Sequence, residues 1–258
     1  MECKNCNHTL RTDYSFCPDC GAKVIRNRLN VKNLWFDITE RYFNVDNTFL
    51  RTFIHLFTKP EVVIGGYIQG IRKKYLNPIS YMGIAITLSG FLVFLMKRKS
   101  DQLDFDVFGT GASSPDLQPL FDFTTDYQAI LFVLYIPMMA SSAWLAYEQI
   151  KYNFTERLTV FIYTLAQWSI GTFIPSILIL SFIPEYYGLI VFPMMGLMYL
   201  YTGYIIKRTG KLKGLDLIAK ILVFYILFTI QYFALSALIP VILILTGTMD
   251  FNAFIPKK

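Results

Sequence analysis

Four cysteines lie in the first twenty residues, as the pairs Cys3-Lys4-Asn5-Cys6 and Cys17-Pro18-Asp19-Cys20. Two intervening residues let one tight turn aim both sulfurs at a common point, and two such turns complete a tetrahedral set. Four thiolates suit Zn²⁺, which has no geometric preference of its own. Asn7 and Gly21 follow the two pairs at matching positions, and both residue types tolerate the left-handed backbone that such a turn needs. A single C-x-x-C could be redox-active, but that reading calls for a βαβ context this stretch lacks. His8 sits just past the first pair and could compete as a ligand. With Cys3, Cys6, Cys17 and Cys20 available, it is expected to stand by.

The expectation is therefore one structural Zn²⁺ in a small zinc ribbon over residues 1–25. A unit of about 25 residues buries too little apolar surface to fold unaided, so the metal supplies most of its folding free energy. Four thiolates also fill every coordination position, which argues against catalysis at the metal. Lys4, Arg11, Lys23, Arg26 and Arg28 surround Tyr14 and Phe16. That composition admits a nucleic-acid contact, but the spacing matches no stacking motif, and a cytoplasmic protein partner is the favoured expectation.

The elements that carry this head are of a different character. Charged residues make up 16% of the chain against about 25% in soluble domains. They thin out sharply after about residue 75. From Val31 to Tyr75 the chain reads as amphipathic. Phe49, Leu50, Phe53, Ile54 and Phe57 recur at helical spacing around Arg51 and His55. Thr58 and Glu61 flank Pro60 as a capping box would, opening a second helix from Val62 to about Lys74. Its basic end, Arg72-Lys73-Lys74, suits lipid phosphates, and a helix packed on the cytoplasmic face of a bundle fits equally. Gly66 and Gly70 have small-xxx-small spacing. Residues 26–75 are thus expected to form amphipathic connector helices at the membrane surface.

Residues 76–258 hold five apolar stretches, at about Leu76–Met96, Tyr127–Tyr147, Leu158–Ile183, Leu189–Ile206 and Leu217–Leu245. Each meets or exceeds the roughly 18–20 residues needed to cross a bilayer. Pro184 to Gly188 reads as a tight hairpin, and Lys220 as a snorkelling residue of the long fifth span. The fold class is an all-α membrane protein of about five transmembrane helices, with interfacial helices and the zinc ribbon added.

The net charge of +6 follows from this layout before any appeal to nucleic acid. With the N-terminus in the cytoplasm, the inner flanks carry Arg72, Lys73, Lys74, Lys151, Arg157, Lys207, Arg208, Lys211 and Lys213. The outer flanks carry Lys97, Arg98, Lys99, Lys257 and Lys258. That bias favours N-inside. Lys97-Arg98-Lys99 is the awkward cluster, followed by a loop rich in aspartate (Asp101 to Asp126) that lacks EF-hand spacing and reads as solvated. All cysteines lie in the head, so disulfides are not expected.

Within the spans, Gln167 and Gln231 are the most polar deep residues, joined by Ser141, Ser142 and Thr172. Their ordinary use is hydrogen bonding between helices. Pro137, Pro175, Pro193 and Pro240 fall within or near spans. Trp144, Trp168, Tyr186 and Tyr187 suit interfacial belts. The chain has only two histidines, His8 and His55, and no P-loop or nucleophile-elbow motif, so no enzyme is expected.

The double C-x-x-C, the run Arg51-Thr52-Phe53 through Thr58-Lys59-Pro60, and the block Tyr67-Ile68-Gln69-Gly70-Ile71-Arg72-Lys73-Lys74-Tyr75-Leu76-Asn77-Pro78 together resemble a bacterial membrane family, domain of unknown function three-six-six-seven. The similarity is most specific over about residues 1–80. In the block, Asn77-Pro78 would cap entry into the first span. The resemblance implies a location in the bacterial inner (cytoplasmic) membrane and this architecture, and no activity. The layout is also similar, more distantly, to that of Yip1-type membrane proteins. Two functional expectations follow: an adaptor or regulator whose head recruits a partner, or a transporter, channel or lipid-handling protein with the head as a cap. Neither reading fixes an oligomeric state.

Overall fold

The structure is a computed structural model that describes residues 2–22, 24, 48–99, 118–147, 152–210 and 214–247. The expected amphipathic stretch before residue 48 and Asp101 to Asp116 lie outside the described residues. The chain forms two compact units, 1–46 and 47–258.

The larger unit is all-helical. Eight α-helices are seen among the described residues: α1 (Thr48–Thr58), α2 (Pro60–Ile68), α3 (Pro78–Arg98), α4 (Gln118–Asp126), α5 (Gln128–Ala146), α6 (Phe154–Phe182), α7 (Tyr187–Gly210) and α8 (Gly214–Leu245). A 3₁₀ turn, Pro184–Tyr186, makes the hairpin between α6 and α7. Five helices are long and apolar enough to cross a membrane: α3, α5, α6, α7 with its 3₁₀ turn, and α8. They match the five expected spans. Their outer faces are apolar too: Leu200, Leu215, Phe233 and Leu245 are all exposed. Lipid can solvate such a surface; water would penalise it.

α3 opens as its sequence dictates. Asn77 is the N-cap, its side chain accepting the Ser80 N–H at 2.8 Å, and Pro78 occupies the first turn, where no donor is lost. α6 starts on a capping box that sequence reading missed: Asn153 accepts the Glu156 N–H and the Glu156 carboxylate accepts the Asn153 N–H, both at 2.8 Å. Pro137, Pro175, Pro193 and Pro240 all sit inside helices that continue past them.

Two local expectations need correction. No capping box forms around Pro60. Lys59 is the N-cap without a side-chain bond, Thr58 Oγ1 donates back to the Ile54 carbonyl at 3.0 Å, and Glu61 is taken by Arg208. The second helix also stops at Ile68, well short of Lys74. Gly70 adopts φ +96, the Ile71 N–H reaches the Gly66 carbonyl at 2.8 Å, and the Gly70 N–H reaches that of Tyr67 at 3.1 Å. This is a Schellman terminator, so Gly70 is a helix stop rather than one half of a small-residue seam.

The bundle is centred on α6, which packs on α1, α2, α3, α5 and α7. Its largest interface, with α3, is laced by polar rungs. Tyr163 Oη donates to the Leu76 carbonyl at 2.7 Å, Tyr81 Oη donates to Gln167 Oε1, Ser89 and Ser169 share a bond of 2.6 Å, and Lys99 Nζ donates to the Leu180 carbonyl at 2.9 Å. The rungs ascend in the same order on both helices, so α3 and α6 run parallel. Two parallel spans joined through α5 are what an alternating, five-pass path requires.

α1 and α2 bury residues in the same core as the spans, with Leu56, Val63 and Ile64 fully enclosed. α1 is tied in through its own backbone. The Phe53 carbonyl accepts from Gln167 Nε2 at 3.1 Å, and the Leu56 and Thr58 carbonyls accept from Tyr201 and Tyr204 Oη, each at 3.2 Å. Its exposed face keeps Leu50, Ile54 and Phe57. At α2, Glu61 meets Arg208 through contacts of 2.9 and 2.5 Å. Arg208 holds the Glu61 carboxyl below the usual carboxylate range. A depressed folded value gives stability that is present above the unfolded value and lost as pH falls through the folded one. The side chains are 40% and 35% exposed, so solvent screening keeps the contribution of the pair small. Glu61→Gln should therefore lower the thermal midpoint slightly at pH 7, with the gap to the unaltered chain closing once pH drops well below about 4.

Candidate metal centre and the buried polar groups

Each cysteine pair sits in the same turn. In the first, the Asn7 N–H donates to the Cys3 carbonyl at 2.8 Å and the Cys3 N–H to the His8 carbonyl at 2.9 Å. In the second, the Gly21 N–H donates to the Cys17 carbonyl at 2.9 Å and the Cys17 N–H to the Ala22 carbonyl at 2.8 Å. The two turns are copies, and both close on a left-handed residue, Asn7 at φ 60 and Gly21 at φ 70, as their positions in sequence implied. An isolated bridge between Glu2 and Thr9 adds the only other backbone order assigned to the first knuckle among the described residues.

These turns bring Cys3, Cys6, Cys17 and Cys20 together, with all four sulfurs within 4.8 Å of one another. Cys3 Sγ lies 3.6 Å from Cys20 Sγ, and Cys6 Sγ the same distance from Cys17 Sγ. A tetrahedron of ligands about 2.3 Å from a central ion has edges of about 3.8 Å. The cage is therefore of the right size for a metal ion, and the residues fit one. Cys3 and Cys17 are buried against Leu10, whereas Cys20 is exposed and Cys6 half-buried. His8 is exposed, gives the knuckle its carbonyl, and is outside the sulfur cluster.

The sulfurs are electrostatically unequal. Hydrogen bonds from the Asn5 side chain and the Ala22 backbone hold the Cys20 thiol down to about 6. At Cys6 a hydrogen bond to the His8 backbone lowers the value, but the bond to Cys20 and burial outweigh it and push the thiol up to about 12. Once Cys20 is ionised, its neighbour keeps its proton. A bound divalent cation removes that conflict by pairing with every sulfur, which is why such sites release protons as they load.

The deep glutamines hold helices together. Gln167, fully buried, bridges Tyr81 of α3 and the Phe53 carbonyl of α1. Gln231 of α8 accepts from Ser141 Oγ and donates to Ser142 Oγ on α5, both at 3.2 Å. Thr172 is bonded within α6, to the Trp168 carbonyl at 2.9 Å. Trp168 lies inside the bundle beside Tyr201, not in an interfacial belt, while Trp144 and Tyr186 are exposed.

Three basic residues counted toward the flank charge are engaged at helix ends. Arg157 is 3% exposed, and its guanidinium donates to the carbonyls of Tyr152, Ala143 and Tyr147 at 3.1, 3.0 and 3.1 Å, closing the end of α5. Lys99 caps α6 through the Leu180 and Ser181 carbonyls, and Lys97 pairs with Asp126. Two members of the awkward outer cluster thus serve helix ends and the α4–α5 turn. Lys220 pairs with Asp216 one turn earlier, at 2.9 Å.

Neither the curated proteins nor the solved structures gave a match to this chain. Residues 46–90, which run from the start of α1 to the middle of α3 and include the Thr58-Lys59-Pro60 and Gly70-to-Pro78 motifs, match the family model for a protein of unknown function (DUF3667), the family those motifs resemble.

Proposed function

We propose that this chain is a non-enzymatic adaptor or regulator of the bacterial inner membrane, its head folded around one structural Zn²⁺ and facing the cytoplasm to bind a protein partner. The observation that carries the reading is the closed cage. Four thiolates consume every tetrahedral position, and four sulfurs with no oxygen or nitrogen ligand favour Zn²⁺ among common divalent ions. Zinc supplies folding free energy here and no chemistry. In the head, Phe16 is 57% exposed and Lys4 and Arg11 are exposed as well, apolar and charged surface of the kind a protein contact uses. In the spans, Gln167 and Gln231 are committed to neighbouring helices, which leaves them unavailable to a solute path.

The test is crosslinking in native membranes with the full chain, comparing it with Phe16→Ala and adding nuclease in a parallel sample. A specific protein adduct that falls about tenfold in Phe16→Ala, a loss of about 1.4 kcal/mol, and survives nuclease supports the reading. An adduct that is indifferent to Phe16 sinks it, and one that disappears with nuclease transfers the head to nucleic acid.

A further inference from the structure

At the α6–α7 hairpin end of the bundle, a cavity of about 310 Å³ lies among α3, α5, α6 and α7. That volume is at the lower end for ligand pockets. On α6 it extends from Ser176 down to Trp168, roughly 12 Å at helical rise, somewhat less than half of a ~30 Å hydrocarbon core. It is open at the side, because Val191 and Met195, which line it, are each 44% exposed. In a chain of this kind that opening faces lipid.

The lining determines what fits. Most of its polar groups are engaged: Ser89 and Ser169 bond each other, Thr172 bonds the Trp168 carbonyl and Tyr187 bonds Ser176, with the Gln128 amide as a further polar group of the lining. A polar solute would be stripped of water and find few donors in return. Apart from these groups the wall is mostly apolar and carries Met194, Met195 and Met198, three of the nine methionines of the chain. Thioether side chains adapt to occupants of varied shape. Ser89 and Val93 line the cavity on α3, and Lys97 follows them at the same four-residue interval, on the same face and nearer the membrane surface. Lys97 is paired with Asp126 and Lys99 with carbonyls of α6, whereas Arg98 between them is exposed. A guanidinium at that level meets a lipid phosphate.

We propose that this cavity holds one acyl chain of an anionic phospholipid, with the phosphate at the Lys97-Arg98 end of α3. The site is independent of whatever the head binds. It lies wholly within the larger unit and would operate with the head removed.

The experiment uses the full chain in phosphatidylcholine nanodiscs doped with phosphatidylglycerol that carries a photoactivatable group midway along one acyl chain. Labelling is mapped by mass spectrometry. Label on the Met194–Met198 segment should exceed that on Leu238–Leu245 of α8, a comparably apolar and exposed stretch, by about tenfold, equivalent to about 1.4 kcal/mol of preference. Met195→Trp, and separately Val191→Phe, should bring it down to the α8 level at unchanged thermal midpoint; both positions are at the opening, where added volume is tolerated. Equal label on the two segments, or cavity label that persists in a well-folded filled variant, overturns the proposal. An identically labelled phosphatidylcholine probe should label the cavity less, and Arg98→Gln should erase the difference. Equal labelling by the two probes in the unaltered chain overturns the anionic headgroup.

Discussion

Cys17→Ser is expected to take the metal content of the purified chain from one ion to none and to unfold the head while leaving the bundle intact. Cys17 is 2% exposed, contributes one of the four sulfurs, and supplies both the N–H and the carbonyl that close the second knuckle. The head has little else to fold with. Its core is Leu10 and the two buried cysteines, backed by partly buried Tyr14, Ala22 and Val24. Structural zinc sites of this type are worth about 10–16 kcal/mol at neutral pH, far more than a core of that size can replace. A serine oxygen is a poor third-rate substitute for a thiolate on Zn²⁺, and it leaves a three-sulfur site open to water. Metal analysis and limited proteolysis check this together. Cleavage between Cys3 and Cys20 should become rapid, and the thermal midpoint of the helical unit should not move, since the two units are compact separately. A variant that retains one metal ion and a protected head would show that the cage is not the folding element.

The second large effect is expected from Arg157→Met, which should lower the stability of the bundle by about 3–5 kcal/mol. Two carbonyls at the end of α5 and the Tyr152 carbonyl just before α6 lose a charged donor at once, and the Tyr147 ring loses the guanidinium 5.8 Å from its centroid. Hydrogen bonds to a charged group are worth about 1.5–3 kcal/mol each. The total falls short of their sum because removing a buried charge also removes its desolvation cost. Arg157→Lys separates geometry from charge. One ammonium cannot span three carbonyls presented to a planar fork, so lysine should recover less than half of the loss. Unfolding in detergent, followed by circular dichroism against temperature, reads both variants. A methionine variant as stable as the unaltered chain would mean that desolvation cancels the three bonds.

The contrast between these two sites shows where sequence is informative. The cysteine cage was legible because everything that builds it is local. Four cysteines fall within eighteen residues, the x-x spacing defines each turn, and Asn7 and Gly21 mark the backbone where φ is positive. The five spans were legible for a different local reason: a stretch of some twenty apolar residues satisfies its own backbone in lipid only as a helix. Asn77-Pro78 announced the start of α3 because a cap and a first-turn proline act within four residues. Thr58 and Glu61 had the same spacing and misled, because a partner 147 residues away claimed the carboxylate.

What the tertiary structure alone decided is the meaning of the long-range polar groups. Charge near a span end is ordinarily a topological signal, and Arg157, Lys97 and Lys99 were counted as such. Their actual partners are carbonyls at helix ends and a single aspartate, separated in sequence by 5 to 14 residues for Arg157, 29 for Lys97 and 81 for the Lys99–Leu180 bond. Nothing in the composition of α3 and α6 says that they run side by side and parallel, so neither the Tyr81–Gln167 and Ser89–Ser169 rungs nor the methionine-walled cavity beside them could be inferred. The reason is physical. Helix formation and metal-ligand turns depend on contacts a few residues apart, which a sequence displays directly. Inside an apolar bundle, the choice of which polar group satisfies which other is made by helix packing, which a sequence displays only once the chain has folded.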